Sequence, residues 1–176
     1  QKALALTGRE PEGTLEDIFA RDGVIWLFDG VEYAPNLGFG VRTAEVSGAT
    51  AVIINVKKTH EERRTIRRAG MRATRFIPVV YATTEEILSK CNRKIVVAED
   101  VGNKAPWETD LTGNLLIVVG AENAGVSREV LDAASEIVRL PMPGFIPSYN
   151  LQVAVSALAI ERLRQIEIVT QNDNPS

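Results

Sequence analysis

The sequence predicts an α/β fold in which a parallel sheet carries helices on both faces. Short apolar, β-branched runs recur along the 176-residue chain, and segments of helical character separate them. Continuous apolar runs of this length are typical of strands buried on both faces, as in parallel sheets. Alternation of such strands with helices is typical of α/β proteins. We predict strands at residues 24–28, 51–54, 77–80, 95–98, 115–119 and 137–140.

The predicted helices lie at residues 14–20, 40–47, 61–69, 84–90, 127–134 and 150–168. The last is the strongest, because apolar side chains recur at helical spacing and Ser148 or Asn150 can cap its start. We assign residues 24–170 to one domain and residues 1–23 to an N-terminal extension that could be the remnant of an upstream segment. The polar residues 171–176 are expected to be a frayed tail.

The composition argues against several classes of protein. No apolar run approaches the ~18 residues needed to cross a bilayer, so no membrane association is expected. The single cysteine, Cys91, excludes an intramolecular disulfide and fits a reducing compartment, which we expect to be the cytoplasm. His60 is the only histidine, so no zinc-ligand spacing occurs and no metal is expected.

Positive charge is concentrated in one segment of an acidic chain. Residues 57–75 contain eight lysines and arginines against two glutamates, a net charge of +6 in a chain whose net charge is −3. Clustered arginines repel one another unless an anion joins them, which favours contact with RNA phosphates. The alternative to phosphate contact is that these arginines form a helix face exposed only to solvent. The candidate RNA-binding residues are Arg63, Arg64, Arg67, Arg68, Arg72 and Arg75.

Three clusters of small and polar residues indicate a site, because ligands of open α/β sheets bind beyond the carboxyl ends of the strands. The first, at 35–45, contains Asn36, which can cap a helix that carries Arg42 about two turns in. The second, at 118–127, places Glu122 between two glycines. The third, at 140–151, contains three prolines. Such a preformed loop lowers the ordering cost of holding a flat ligand such as adenine.

The second cluster resembles a phosphate-binding loop only superficially. Gly120 and Gly125 stand five residues apart, but Val126 occupies the place of the lysine that such a loop requires. The dinucleotide motif GxGxxG is absent, and Glu122 would repel a triphosphate. A carboxylate beside exposed backbone suits a neutral or cationic ligand, and a sulfonium compound is one such ligand.

Taken in order, the three clusters resemble the motifs of the TrmH-like branch of the SPOUT methyltransferases. Order and spacing agree with the family pattern over residues 24–165. The matching residues are Asn36-Leu37-Gly38 with Arg42-Thr43-Ala44-Glu45, then Gly120-Ala121-Glu122, then Leu140-Pro141-Met142-Pro143-Gly144 with Ser148-Tyr149-Asn150 and Ala154.

The resemblance implies a fold, a cofactor and an activity. The C-terminal segment of an α/β domain would form a trefoil knot, and the protein would be a homodimer that binds S-adenosylmethionine. The reaction would be methyl transfer to a ribose 2′-hydroxyl of structured RNA, either ribosomal or transfer RNA. The positions associated with activity are Asn36, Arg42, Glu122, Ser148 and Asn150. The positions associated with the cofactor, largely through backbone groups, are Val119, Gly120, Leu140, Met142, Tyr149 and Asn150.

The chain departs from the family pattern at four positions. Tyr149 replaces the usual leucine, Leu140 the usual isoleucine, Gln152 a residue that is often small, and Asn123 a common glycine. Tyr149 could narrow an adenine pocket. Two other functions stay open: a catalytically silent RNA-binding homologue, and a nucleotide-using enzyme on an ordinary doubly wound sheet.

The methyl-transfer hypothesis makes one geometric demand. The segments around Arg42, Glu122 and Asn150 must converge on one pocket at the carboxyl edge of the sheet. Arg42 would lie beside the ribose hydroxyl, where it either acts as a perturbed general base or orients the adjacent phosphate and stabilises developing negative charge.

Overall fold

The computed structural model of the chain describes residues 13–173, which form a parallel sheet between two layers of helices. The order across the sheet is third, second, first, fifth, fourth and sixth strand, and every pairing is parallel. The predicted fold class is confirmed in this respect. The strands are β1 (Val24–Asp29), β2 (Ala51–Ile54), β3 (Val79–Tyr81), β4 (Lys94–Ala98), β5 (Leu115–Gly120) and β6 (Glu136–Val138).

Within residues 13–173, six α-helices cover the two faces of the sheet. They are α1 (Leu15–Phe19), α2 (Ala34–Val46), α3 (His60–Ala69), α4 (Thr84–Lys90), α5 (Arg128–Ala133) and α6 (Leu151–Asp173). Alternate residues of β1 point to opposite faces: Trp26 and Phe28 pack with α2, α3 and α6, whereas Ile25 and Leu27 pack with α1, α4 and α5. Two short 3₁₀ turns, Ala73–Arg75 and Pro106–Glu108, join the elements.

Local side-chain chemistry explains where two helices begin. Thr59 and Glu62 form a reciprocal capping box at the start of α3, and Thr83 and Glu86 do the same at the start of α4. In each box the threonine hydroxyl accepts from the glutamate amide, and the glutamate carboxylate accepts from the threonine amide. Both helices therefore begin within one residue of the predicted positions.

Helix α2 differs from its prediction. It begins at Ala34 rather than residue 40, with Tyr33 as the N-cap, so the expectation that Asn36 caps it is wrong: Asn36 lies inside the first turn. Two glycines made this stretch a poor predicted helix. They are needed for close packing, because a Cβ on Gly38 would lie 2.6 Å from a backbone oxygen of α3, and one on Gly40 would lie 2.7 Å from the Phe28 ring.

The ends of the domain also differ from the sequence-based boundaries. Leu15, Ile18 and Phe19 of α1 are buried against the sheet, so residues 13–23 pack as part of the domain. Helix α6 continues through residues 171–173, where a frayed tail was expected. Residues 1–12 of the expected extension and residues 174–176 lie outside the described part of the chain.

Two strands begin or end two residues away from their predicted limits, whereas β1, β4 and β5 differ by one residue at one end. Strand β3 begins at Val79 rather than residue 77, because Pro78 has no N–H to donate to a neighbouring strand. Strand β6 ends at Val138, and the amide of Arg139 donates instead to the carbonyl of Lys104 at 2.8 Å. Within residues 13–173 no helix has both the length and the apolar character to cross a membrane.

Candidate active site at the carboxyl edge of the sheet

A cavity of about 110 Å³ lies where the carboxyl ends of β4 and β5 meet the loop that leads into α6. It brings together residues separated by more than fifty positions in the sequence, from Ala98 to Ala154. Seven of the residues predicted for the site line it: Val119, Gly120, Glu122, Leu140, Met142, Ser148 and Tyr149. The second and third sequence clusters therefore form one site.

The turn after β5 is shaped by two glycines. The amide of Gly125 donates to the carbonyl of Ala121 at 2.8 Å, and Gly125 has a φ of 69°, which favours glycine. A Cβ on Gly120 would lie 2.3 Å from the carbonyl carbon of Gly125. The cavity wall is therefore bare backbone at this point, as a ligand held by main-chain groups would require.

A buried carboxylate holds this turn to the rest of the sheet edge. Asp29 pairs with Gly120 in the β1–β5 register and is 2% exposed. Its two oxygens accept from the amide of Ser127 and from the side-chain amide of Asn55, both at 2.6 Å. Asp29 thus joins the loops after β1, β2 and β5. Sequence reasoning missed it, although an aspartate at the end of a continuous apolar strand was a signal.

Two further carboxylates that sequence reasoning missed, Glu99 and Asp100, line the cavity beside Glu122. Glu99 Oε2 accepts from the amide of Val126 at 3.3 Å. Burial raises the pKa of the Glu99 carboxyl above its ordinary value; the Val126 hydrogen bond opposes that shift, and the nearby charges of Asp100 and Asp29 add to it. The cavity therefore presents an acidic wall, which favours a cationic ligand group.

The loop between β6 and α6 is closed on itself by one side chain. The hydroxyl of Tyr149 donates to the carbonyl of Pro141. Tyr149 is half-exposed and lines the cavity, so its ring, and not only its backbone, belongs to the site. The next residue, Asn150, is exposed and does not line the cavity; its carbonyl accepts from the amides of Val153 and Ala154, which starts α6.

The first sequence cluster reaches the site through one contact. The side-chain amide of Asn36 donates to Glu122 Oε1 at 3.5 Å, across 86 residues of sequence. Arg42 lies six residues farther along α2, which corresponds to about 9 Å of helix axis, and does not line the cavity. Its side chain is exposed and has no hydrogen bond or ion pair with the described residues.

The basic segment divides into three environments. Five of the six candidate arginines line one groove of about 780 Å³ with His60 and Met71: Arg64, Arg67, Arg68, Arg72 and Arg75. Met71 and Arg72 follow α3 with positive φ values of 51° and 59°, and this turn brings the later arginines back to the same groove. Arg63 lies elsewhere, stacked on Tyr81. Lys58 is buried and donates to the carbonyl of Glu32.

Among residues 13–173 no three or more His, Cys, Asp or Glu side chains come close enough to one another to hold a metal ion. Of the carboxylates that line the cavity, Glu99 accepts from the amide of Val126 and Glu122 accepts from the side-chain amide of Asn36.

Known proteins share both the sequence pattern and the architecture. The profile of the SpoU rRNA Methylase family matches residues 23–160. The 23S rRNA (guanosine-2′-O-)-methyltransferase RlmB of Pseudomonas aeruginosa is 34% identical over 161 residues, and that of Pseudomonas putida is 33% identical over 149 residues. The alignments cover 88% and 82% of this chain but 65% and 60% of those proteins, so the chain spans less than two thirds of their length.

A solved structure agrees with these relatives. The AdoMet-bound rRNA methyltransferase of Sinorhizobium meliloti superposes with a TM-score of 0.81 at 26% identity, over 89% of this chain and 62% of that one. The matched region contains every element that lines the cavity, from β4 to the start of α6. The chain therefore belongs to the SpoU rRNA Methylase family.

Proposed function

We propose that this chain transfers a methyl group from S-adenosylmethionine to a ribose 2′-hydroxyl of ribosomal RNA. The observation that carries the proposal is the cavity in which the Gly120 turn, the acidic wall and the loop of Tyr149 meet. The curated relatives are named as 23S rRNA (guanosine-2′-O-)-methyltransferases. Ribosomal RNA is therefore the substrate to test first, ahead of transfer RNA.

The residues of the cavity fit S-adenosylmethionine. When bound, this cofactor supplies an electrophilic methyl group on a positively charged sulfur. Glu99, Asp100 and Glu122 suit its positive charges, and Val119 and Leu140 offer apolar contact to an adenine ring. The cavity is smaller than the ~300–1,000 Å³ of typical small-molecule sites. Part of the cofactor would therefore lie outside it, against the exposed residues 143–149.

The knot implied by the family resemblance is part of the proposal. Residues 139–150 have no regular secondary structure, line the same cavity as the end of β5, and lead into α6, which packs against α2 and β5. A threaded segment in this place would hold the cofactor loop rigidly, which lowers the ordering cost of binding.

Arg42 and the Asn36–Glu122 pair have distinct proposed tasks. A ribose hydroxyl is a weak nucleophile, so it must be aligned with the methyl group and must lose its proton. The exposed, unpaired guanidinium of Arg42 is available to the phosphate beside the target ribose and to the negative charge that develops on its oxygen. Asn36 holds Glu122 at the cavity rim. Ser148 and Asn150 would position the ribose or the amino-acid end of the cofactor.

The arginine groove would hold the RNA backbone away from the reacting atoms. Its five arginines and His60 lie on α3 and the turn after it, and Glu61 and Glu62 of the first turn of α3 do not line the groove. Arginine contacts to phosphate give affinity without sequence preference. Selection of the modified nucleotide therefore has to come from other contacts.

A homodimer also belongs to the proposal. Helices α2 and α6 pack against each other on the same face of the sheet. Both expose large apolar side chains, with Val46 at 74% and Ile160 at 64% exposure. Such exposed apolar side chains on neighbouring helices favour an interface. The reaction would take place in the cytoplasm, a reducing compartment that suits the free thiol of Cys91.

One experiment tests the activity and its main alternative. The purified protein is incubated with ribosomal RNA and S-adenosylmethionine, and the modified nucleotide and atom are mapped by mass spectrometry. We expect a 2′-O-methylated ribose. A catalytically silent RNA-binding homologue would give no heat when titrated with S-adenosylmethionine in a calorimeter, and that result would overturn the proposal.

The role of Arg42 is tested with a matched pair of variants. Arg42→Ala should lose most turnover while its affinity for S-adenosylmethionine stays within about twofold, because the residue lies outside the cavity. Arg164→Ala, which removes an exposed arginine of α6 paired with Glu161, should retain turnover. Near-normal methyl transfer by Arg42→Ala would remove Arg42 from the reaction.

A further inference from the structure

A second groove lies at the carboxyl ends of β2 and β3, separate from the cofactor cavity and from the arginine groove. It has a volume of about 420 Å³. Its walls come from the residues that follow the two strands and from the first turn of α3, and include Asn55, Lys57, Arg63 and Tyr81. None of these residues lines either of the other two sites.

In this groove the guanidinium group of Arg63 lies over the ring of Tyr81. The guanidinium carbon of Arg63 lies 3.9 Å from the centroid of the Tyr81 ring. Tyr81 is half-buried and packs against the apolar cluster beneath it, so its position is set by the core. Arg63 is exposed, so the outer face of its guanidinium plane is open to solvent. A guanidinium over an aromatic ring, with one side open to solvent, offers a planar group on which an unpaired base can stack.

The charges of the groove suit a nucleotide. Lys57 is exposed and lies beside the stack. The acidic side chain that lines the groove, Glu86, accepts from the amide of Thr83, and Glu62 in the first turn of α3 accepts from the amide of Thr59. The groove therefore offers a flat cationic surface with an adjacent lysine, which matches a base followed by its phosphate.

The position of the groove connects it to the candidate active site. In the sheet only β1 separates β2 from β5, so the ends of these two strands, which border the groove and the cavity, lie roughly 10 Å apart along the same carboxyl edge. Asn55, which lines the groove, donates to Asp29 at 2.6 Å, and Asp29 pairs with Gly120 of the cavity in the β1–β5 register. An RNA strand that enters the active site can therefore reach the groove.

We infer that this groove binds an unpaired RNA base next to the nucleotide being modified, with the base stacked on the guanidinium plane of Arg63. The inference rests on the proposed function, because it assumes that RNA is the substrate. The groove would help to select the RNA segment that enters the active site. The two grooves would contact different parts of the RNA. This groove would contact the face of a base, whereas the arginine groove would contact phosphates.

The test compares two neighbouring arginines that face different sites. Arg63→Lys keeps the positive charge and removes the planar surface, and Arg64→Lys makes the same change in the arginine groove. Binding is measured with a short single-stranded oligouridylate and with the same strand annealed to oligoadenylate, both without S-adenosylmethionine. We expect Arg63→Lys to weaken binding of the single strand by about tenfold and to leave duplex binding nearly unchanged, because paired bases are not free to stack.

Arg64→Lys should leave both affinities nearly unchanged, because a phosphate contact needs charge rather than a plane. Equal effects of the two variants, or an equal loss with single strand and duplex for Arg63→Lys, would overturn the inference. The outcome is separable from that of the proposed function: a chain that fails to bind S-adenosylmethionine refutes methyl transfer and leaves this comparison intact.

Discussion

The hydroxyl of Tyr149 donates a hydrogen bond to the carbonyl of Pro141 and thereby ties together the two ends of the proline-rich loop. The loop between them exposes Phe145 and Ile146 almost completely and has no regular secondary structure. The same tyrosine ring lines the cavity. Tyr149, one of the four residues that depart from the family pattern, therefore closes the loop proposed to hold the cofactor with a hydrogen bond.

Removal of this tie should weaken cofactor binding. Tyr149→Phe keeps the ring and loses the hydrogen bond, whose net contribution is about 1 kcal/mol. If the loop must be ordered to bind, the affinity for S-adenosylmethionine measured by calorimetry should fall about threefold to tenfold. Tyr33→Phe, a change at an exposed tyrosine whose side chain makes no capping hydrogen bond, is the control. Unchanged affinity in Tyr149→Phe would show that the loop is ordered without the tie.

Gly120 should tolerate no side chain. The Cβ of Gly120→Ala would lie 2.3–2.5 Å from backbone atoms of Gly125 and Val126, so the turn after β5 would have to move. We expect the free energy of unfolding to fall by about 1–3 kcal/mol, as for other overpacked sites. Urea denaturation measures it. Gly144→Ala, where a Cβ meets nothing within 4 Å, should be nearly neutral. Equal stability of the two variants would contradict this account of the turn.

Asp29 should be a major determinant of stability at the carboxyl edge. Asp29→Ala leaves the part-buried amide of Ser127 and one side-chain N–H of Asn55 without their acceptor. Each such loss costs about 1–3 kcal/mol, so we expect the free energy of unfolding to fall by about 2–4 kcal/mol in urea denaturation. Asp132→Ala removes an exposed carboxylate paired only with Arg128 and should cost less than about 1 kcal/mol. A similar cost for both variants would be inconsistent with the bridging role.

The sheet was predictable from the sequence because its strands are encoded locally. Every residue of β2 and β5 except Gly120 is a buried apolar residue, so each strand appears as an uninterrupted apolar run. Helix α4 was predicted to the residue, because Thr83 and Glu86 form its capping box within four positions. In both cases the part of the sequence that identifies the element lies within the element or at its N-cap.

Features that depend on distant partners were not predictable. Gly38 and Gly40 made the start of α2 look irregular, and only contacts with α3 and Phe28 explain them. Asp29 has partners 26 and 98 residues away. Arg63 and Arg64 are neighbours in sequence, but successive helical residues point about 100° apart, so one joins Tyr81 and the other the arginine groove. The spacing of charges alone could not separate them.

Charge reversal in the arginine groove should change the salt dependence of RNA binding. Arg67→Glu combined with Arg68→Glu removes two candidate phosphate contacts. The slope of log affinity against log salt concentration should become shallower by up to about 2, because each contact releases about one counterion. Filter binding across a salt series measures it. Arg128→Glu, on a helix that packs on the opposite face of the sheet, is the control. An unchanged slope would exclude this groove from the RNA surface.

Glu99 should make the protein less stable as the pH rises. Burial raises the pKa of its carboxyl in the folded state, so folding favours the protonated form, and the associated stability is lost as the pH increases through that raised pKa. Glu99→Gln removes this titration and can still accept from the amide of Val126. The variant should therefore gain stability relative to the unmodified protein as the pH rises above the ordinary glutamate pKa of about 4.3, by at most a few degrees in Tm.

Thermal unfolding at several pH values, with and without the substitution, tests this expectation. Glu129→Gln, which removes an exposed carboxylate of α5, controls for the change in net charge. If the difference in Tm between Glu99→Gln and the unmodified protein is the same at every pH, the Glu99 carboxyl titrates alike in the folded and unfolded chains. In that case burial does not keep the Glu99 carboxyl protonated above the ordinary pKa of glutamate, and this carboxylate contributes negative charge to the acidic wall there.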